Sequence, residues 1–400
     1  MRLEHLSLTN FRNYAHRELP VPDHTIVVVG ANAQGKTSLL EAFYYLATAR
    51  SPYTTSDRQL IHWRTEDDPM PFARVSADIY TKAHPFASLE ITLVMDTSTG
   101  TPRLKKVIRF NGVDRRVMDI VGILNVVMFL PQDLRLVEGS PSDRRRYMDD
   151  TLSQVDAAYL AALNTYEKAL PQRNALLRSI AANRASVKEL AYWNEQIIDA
   201  GAVIIAGRQR FLREIEREAQ RVHADLTNRI ETLTLHYQPG FTPTAKNDGQ
   251  LSFDMLGLDL HRDLSPQQIA PQFADKLTRE QGESINRGVT LSGPHRDELR
   301  MQINGRDVGL YGSRGQGRTT VMALKLAELA WMTERIGERP VLLLDEVIAE
   351  LDAKRRAYLL ARLDGVSQTL MTTTEPDIFT PSFMEQNTVL RVNAGQIEPL

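Results

Sequence analysis

Two glycines, a lysine and a threonine stand at G-x-x-x-x-G-K-[ST] spacing in Gly30-Ala31-Asn32-Ala33-Gln34-Gly35-Lys36-Thr37, with Ser38 next. That pattern suits an anion carrying several phosphoryl groups. Glycines let the backbone approach closely, the loop amides and the following helix start point at phosphate oxygens, and an ammonium meets the outermost ones. Residues 30–38 are therefore assigned to nucleotide binding, Lys36 to the β and γ oxygens, and Thr37 to Mg²⁺. ATP and Mg²⁺ are the cofactors this chemistry asks for. Hydrolysis also needs a carboxylate for the metal and a base for water, and Val341-Leu342-Leu343-Leu344-Asp345-Glu346 ends an apolar run with both. Asp345 is assigned to the metal shell and Glu346 to the attacking water. Gln132, in Leu130-Pro131-Gln132-Asp133, can link the metal or the water to its loop; taken alone, a loop glutamine without a role is the competing reading. The catalytic set is then Glu346, Lys36 and Gln132, and the metal set Thr37, Gln132 and Asp345.

A second glycine-bearing polar segment, Tyr311-Gly312-Ser313-Arg314-Gly315-Gln316-Gly317-Arg318, directly precedes an amphipathic run through Val321, Leu324, Ala327 and Leu329. It reads as another anion-binding helix start. One site rarely needs two such cradles, but a head-to-tail dimer does. Ser313, Gly315 and Gln316 of one copy are expected to cap the γ-phosphate held by Lys36 of the other. Asp352, in Ala349-Glu350-Leu351-Asp352, is placed to couple the two sites.

These groups need a strand, loop and helix, and the pattern supplies them. Thr25 to Val29 is a β-branched run, and Thr37 to Ala47 carries apolar residues at helical spacing. Alternation at period two between Phe72 and Phe110 predicts an antiparallel lobe. From Arg144 to Leu235 strand signals vanish, and steps of three and four predict two long helices folded back as an arm, interrupted at Pro171 and around Asn183. Residues 238–250 read as a surface loop. Met301 to Ile303 with its Asn304-Gly305 turn, Val341 to Leu344 and Thr369 to Thr373 read as strands, with helices at Thr319 to Arg335 and Ala353 to Leu363. The fold class is α/β. Because about 300 residues separate Lys36 from Asp345, the arm is inserted into one nucleotide-binding sheet. The expected division is an N-terminal head part at 1–135, a helical lid at 136–289, and a C-terminal head part at 290–400.

A net charge of −2 argues against a protein that coats nucleic acid over its whole surface, so such contact must be a local patch. Arg50, Arg58, Arg103, Lys105, Lys106, Arg115 and Arg116 are the candidates, each with a plain solvated charge as the competing reading. No base-reading motif is visible, which predicts phosphate-dominated, salt-sensitive binding. The absence of cysteine excludes disulfides and thiolate sites. No signal peptide or membrane span is legible, so the expected location is cytoplasmic.

The order of these pieces resembles the RecF family of bacterial DNA replication and repair proteins, ABC-class ATPases related to chromosome-maintenance ATPases. The specific marks are Leu8-Thr-Asn-Phe-Arg-Asn-Tyr14, Gly139-Ser-Pro-Ser-Asp-Arg-Arg-Arg-Tyr-Met-Asp149, Gln172-Arg-Asn-Ala-Leu-Leu177, Ser292-Gly-Pro-His-Arg-Asp297 and Ser313-x-Gly-Gln316. The resemblance implies an ABC-type P-loop ATPase head with an antiparallel β lobe and an inserted helical lid. It implies an ATP-dependent homodimer, binding of double-stranded and gapped DNA, and weak, DNA-stimulated ATPase activity that resets the dimer. It further implies partnership with RecR and, indirectly, with RecO and a recombinase. Arg314 and Gly317 stand where the family more often has glutamines, and Ala349 where it has serine. Thr372-Thr373-Thr374 stands where most ABC ATPases place a switch histidine, and Thr373 is given the coupling role. Two other readings remain: the ATPase subunit of a transporter, and a DNA clamp that ATP gates without hydrolysis.

Overall fold

Runs of β-branched and aliphatic side chains such as Thr25–Val29 have no polar face to offer water and are stable only with both faces covered. The structure, a computed structural model, describes residues 1–65, 68–96, 103–241, 264–363 and 368–400. Its strands are β1 (Arg2–Phe11), β2 (Tyr14–Pro20), β3 (Thr25–Val29), β4 (Phe72–Tyr80), β5 (Ala87–Asp96), β6 (Arg103–Phe110), β7 (Val113–Arg115), β8 (Val126–Phe129), β9 (Leu233–Gln238), β10 (Glu298–Ile303), β11 (Arg306–Asp307), β12 (Val341–Asp345), β13 (Thr369–Thr373), β14 (Thr388–Asn393) and β15 (Gln396–Pro399).

The chain divides into two compact units, residues 1–133 with 328–400 and residues 134–327. In the first, β3 lies inside a sheet of order β15-β14-β3-β13-β12-β8, parallel to β13 and β14. The all-apolar β12 is likewise inside, parallel to β8 and β13. The second sheet, β2-β1-β4-β5-β6-β7, is antiparallel and alternates: Leu3, Leu6, Leu8, Val75, Ala77, Ile79, Leu89, Ile91 and Leu93 are buried in a core shared with the Lys36–Thr48 helix. The predicted period-two lobe is this sheet.

The second unit carries the arm. Helices Ala157–Ala181 and Leu190–Leu226 pair, joined through Asn183, which takes the left-handed conformation that ends the first. The expected interruption at Pro171 is absent, since the helix runs through it. Pro171 is exposed, so the carbonyl it deprives of a donor can turn to water, while Ala169, Arg173 and Leu177 bury the opposite face. The helical reading also ran too far. Asn228 and Arg229, both left-handed, turn the chain back, Ile230 is 76% exposed, and Leu233, Leu235 and Tyr237 are buried at period two in β9. β9 pairs with β10, which continues through the left-handed Asn304-Gly305 turn into β11. That pairing keeps residues 290–327 in the arm's unit, so the chain does not divide at 289/290 as expected. Most of the predicted 238–250 loop lies outside the described residues.

A buried ion cluster fixes the Ser292–Asp297 motif within this unit. The Arg208 guanidinium donates to Asp149 at 2.8 and 2.9 Å, to Asp297 at 2.7 Å and to the Pro294 carbonyl at 2.7 Å. Tyr159 and Tyr237 hydroxyls donate to Asp149 and Asp297.

Candidate nucleotide site

The loop after β3 must turn tightly into a helix, and two glycines make that possible. Gly35 has φ 121°, and a Cβ on it would stand 2.6 Å from Asn13 Nδ2. A Cβ on Gly30 would meet the Val392 carbonyl at 2.4 Å. The loop is tied to its surroundings: Asn13 Nδ2 and the Gly395 amide donate to the Gln34 carbonyl, the Ala394 amide to Gln34 Oε1, and the Tyr14 hydroxyl to the Gly35 carbonyl. Ala31, Asn32 and Ala33 face solvent, while Lys36 is buried.

The register of the parallel sheet brings the distant carboxylates to this loop. Asp345 at the end of β12 pairs with Thr372 of β13, and β13 pairs with β3. The Thr37 hydroxyl lies 3.1 Å from both Asp345 oxygens. Thr372 Oγ1 donates to Asp345 at 2.7 Å and accepts from the Glu346 amide at 2.9 Å. Lys36 Nζ reaches Glu346 Oε1 at 2.9 Å and the carbonyls of Gly30 and Ala31 at 2.9 and 3.0 Å. Glu346 itself is left-handed, φ 55°, an uncommon conformation for a residue with a side chain, directly after β12. Its Oε2 accepts from the Thr374 amide at 3.2 Å.

Several participants have no motif of their own. Tyr53 donates its hydroxyl to Asp345 Oδ2 at 2.7 Å, and burial, then the Asp345 charge, hold that phenol protonated far above its ordinary range. Arg12 grips Glu41 with two hydrogen bonds of 2.7 Å, and Glu41 accepts from Ser51, whose oxygen receives the amides of Tyr53 and Thr54. Arg12, Asn13, Gln59, Ile61 and Trp63 join Asn32, Ala33, Lys36, Thr37, Ser38 and Glu346 around a cleft of about 410 Å³. No local pattern marks Glu41, Ser51, Tyr53, Gln59, Ile61 or Trp63. Only the Phe11–Tyr14 hairpin, part of the family-like N-terminal segment, offered a signal.

Gln132 sits half-buried on the short turn after β8, and β8 ends beside β12 with Phe129 opposite Leu344, so it shares the edge that carries Asp345. Strand alternation turns the buried Thr373 hydroxyl away from Asp345, and it binds the Glu375 backbone. Its neighbours Thr372 and Thr374 make the contacts to the acidic pair. Asp352 is exposed and caps the Ala353–Leu360 helix, accepting from the Arg355 amide at 2.9 Å, and that bond holds its carboxyl below the usual range.

Ser313 and Gly315 are exposed at the start of the Arg314–Ile336 helix. Ser313 Oγ accepts the Gln316 amide at 3.2 Å, while Gln316 Oε1 accepts the Ser313 amide at 2.8 Å. The turn is thus a reciprocal cap with its outer face open.

The basic candidates do not form one face. Arg103 and Lys105 alternate with Lys106 on β6, and Arg115 pairs opposite Ile108, on Lys106's side. Lys106 is engaged with Asp57 at 2.6 Å and with the Ala49 carbonyl at 2.7 Å, and Arg116 with Asp119 at 2.9 Å. Arg50, Arg58, Arg103, Lys105 and Arg115 are exposed.

A phosphate loop on a parallel sheet, a carboxylate pair at the end of β12 one strand removed, an antiparallel lobe and a helical insertion define an ABC-type ATPase head of the kind found in RecF and SMC proteins. The head domain of an Smc protein from Pyrococcus furiosus superposes with a TM-score of 0.51 at 16% identity, covering 100% of this chain and 95% of that one, a likeness of fold. The family model described as RecF/RecN/SMC N-terminal domain matches residues 2–397. The DNA replication and repair protein RecF of Herpetosiphon aurantiacus is 40% identical over 410 residues, 100% of each chain. RecF of Bacillus subtilis is 35% identical over 398 residues, 99% of this chain and 100% of that one. A solved structure of the recombination mediator RecF with ATPrS, in the RecFOR pathway, superposes with a TM-score of 0.82 at 28% identity, over 100% of this chain and 98% of that one. The chain belongs to the RecF family.

Proposed function

We propose that this protein is an ATP-hydrolysing DNA repair factor that closes as a homodimer around two nucleotides on duplex DNA at gaps. The observation that carries the reading is the meeting of Lys36 with Glu346 and of Thr37 with Asp345 at one cleft. With a triphosphate in the loop, the Lys36 ammonium transfers from the Gly30 and Ala31 carbonyls and Glu346 to the β and γ oxygens. Glu346 is thereby released to polarise water, so binding and activation are linked. The Thr37 hydroxyl and Asp345 carboxylate are hard oxygen donors of the kind Mg²⁺ takes, and Thr37, Asp345 and Gln132 would hold it. Among the described residues no group of three His, Cys, Asp or Glu could hold an ion, so its remaining ligands would be phosphate oxygens and water. Bound there, the ion neutralises charge on the transferring phosphoryl group.

The open Ser313 turn then completes the partner's site, with Ser313, Gly315 and Gln316 as the contributing segment and Asp352 and Thr373 near the seam. Relatives named for DNA replication and repair, and one solved as a recombination mediator in the RecFOR pathway, support a DNA-repair setting; within it duplex and gapped DNA, RecR, and through it RecO and a recombinase are the proposed partners. DNA contact would fall to phosphate-reading side chains among Arg50, Arg58, Arg103, Lys105, Lys106, Arg115 and Arg116, with Arg103 and Lys105 sharing one side of β6. No described helix is long and apolar enough to cross a membrane, and the cytoplasm is the proposed location. Sedimentation of the Glu346→Gln variant with ATP, ADP and duplex DNA tests the reading. A dimer in ATP but not ADP is expected, and a monomer in saturating ATP overturns it. Phosphate release measured with and without DNA separates a slow, DNA-stimulated ATPase from a clamp that ATP merely gates.

A further inference from the structure

The arm helix Leu190–Leu226 ends in a built turn. Asn228 and Arg229 are consecutive non-glycine residues in the left-handed region, a costly arrangement that survives only where the surroundings demand it. The Arg229 amide closes back on the Ala224 carbonyl at 2.7 Å, and Thr232 exchanges hydrogen bonds with Asn304 at 2.9 and 3.0 Å. The result delivers Glu231 to two places at once. Its Oε2 lies 3.0 Å from Nε2 of His223, a side chain with no exposure on the arm helix. Its Oε1 accepts from Gln316 Nε2 at 2.8 Å, and the same Gln316 side chain receives the Ser313 amide. A continuous chain therefore runs His223, Glu231, Gln316, Ser313.

We propose that Glu231 is a positioning residue that couples the end of the arm to the Ser313 turn, setting that turn's shape through Gln316. With both ends of its amide engaged inside its own copy, Gln316 sets the shape of the turn that is presented to the partner. A movement of the arm helix is felt at Ser313 because the links are short and fixed in direction, and a carboxylate acceptor strengthens the Gln316 bond. This inference rests on the shared-site reading for its consequence, but its geometry belongs to one chain.

The test compares Glu231→Ala, Glu231→Gln and the parent, all in the full chain. Hydrogen exchange at the Ser313 and Gln316 amides without nucleotide reads the turn itself, and sedimentation in ATP in a Glu346→Gln background reads dimer closure. Glu231→Ala is expected to speed exchange at both amides by about tenfold and to raise the concentration for half-dimerisation by about tenfold, with Lys36-dependent nucleotide binding retained. Glu231→Gln keeps an acceptor for Gln316 and is expected to restore most of both. Unchanged exchange in Glu231→Ala overturns the coupling whatever the dimer does. Faster exchange with an unchanged dimer overturns its role in closure. A Glu346→Gln parent that stays monomeric defeats the shared-site reading, while the exchange measurement still decides whether Glu231 holds the turn.

Discussion

Lys36 Nζ and Glu346 Oε1 stand 2.9 Å apart, so the residue that grips phosphate and the residue that serves the water begin as each other's partners. Replacing Glu346 by Gln frees the ammonium from one anionic contact. ATP affinity is expected to rise about threefold, within the modest range of a partly exposed ion pair, while phosphate release falls at least about a hundredfold through loss of the base. Titration with a fluorescent ATP analogue and a phosphate-release assay check the two effects, and equal losses in both would contradict this division of roles.

Lys36→Met removes that grip. Its side chain is buried among loop carbonyls, so the variant is expected to fold but to bind ATP at least about a hundredfold more weakly, the weight of a charge-assisted contact in a sheltered site. Melting curves with and without ATP read it directly: the parent should gain stability with nucleotide, and the variant should not.

Tyr53 adds a third hydroxyl to Asp345, beside those of Thr37 and Thr372. Tyr53→Phe keeps the ring and loses the hydroxyl. The Mg²⁺ concentration for half-maximal ATPase activity is expected to rise about tenfold, as for other groups that orient a metal's ligand, with ATP affinity in the absence of Mg²⁺ unchanged. An unaltered Mg²⁺ titration would show Tyr53 to be packing alone.

Burial, followed by the positive charges of Arg296, Arg145 and Arg173, lowers the His295 pKa to about 4. Its Nδ1 meets the Tyr166 hydroxyl at 2.7 Å and its Nε2 lies 3.1 Å from the Thr290 carbonyl. The unfolded chain binds the proton at its ordinary value near 6.5 and the folded one does not, so this residue's share of stability is whole above about pH 6.5 and falls as the pH drops toward 4. Between pH 7.5 and 5.5 the parent should lose about 1 kcal/mol more than His295→Gln. Denaturant midpoints at the two pH values check it, and parallel losses would refute it.

Arg208→Met leaves the buried Asp297 and the half-buried Asp149 without the Arg208 cation. A loss of about 4 kcal/mol is expected, together with release of the Ser292–Asp297 segment, visible as faster hydrogen exchange there. A loss below about 1 kcal/mol would show that the two tyrosine hydroxyls and the Gly240 amide satisfy the carboxylates.

The sequence by itself determined the local units. The loop at Gly30–Thr37, the apolar run into Asp345-Glu346, the polar helix start at Ser313 and the alternation of the β lobe are each short-range patterns, set by backbone reach and side-chain period. It could also rank the arm as helical, though Pro171 and the stretch through Ile230 misled, because burial around a helix overrides an exposed proline and a chance spacing can imitate a helix past its true end. Only the tertiary structure decided which distant groups meet. The register of β12, β13 and β3 puts Thr37 beside Asp345 across 308 positions, and strand alternation gives the inner role to Thr372 and withholds it from Thr373. Tyr53 and Glu231 owe their places to turns and pairings that no local pattern encodes. Contacts of that kind form only once loops of 29 to 308 positions have closed, and what fixes them is the summed packing of the sheets and helices, not the spacing of any single motif.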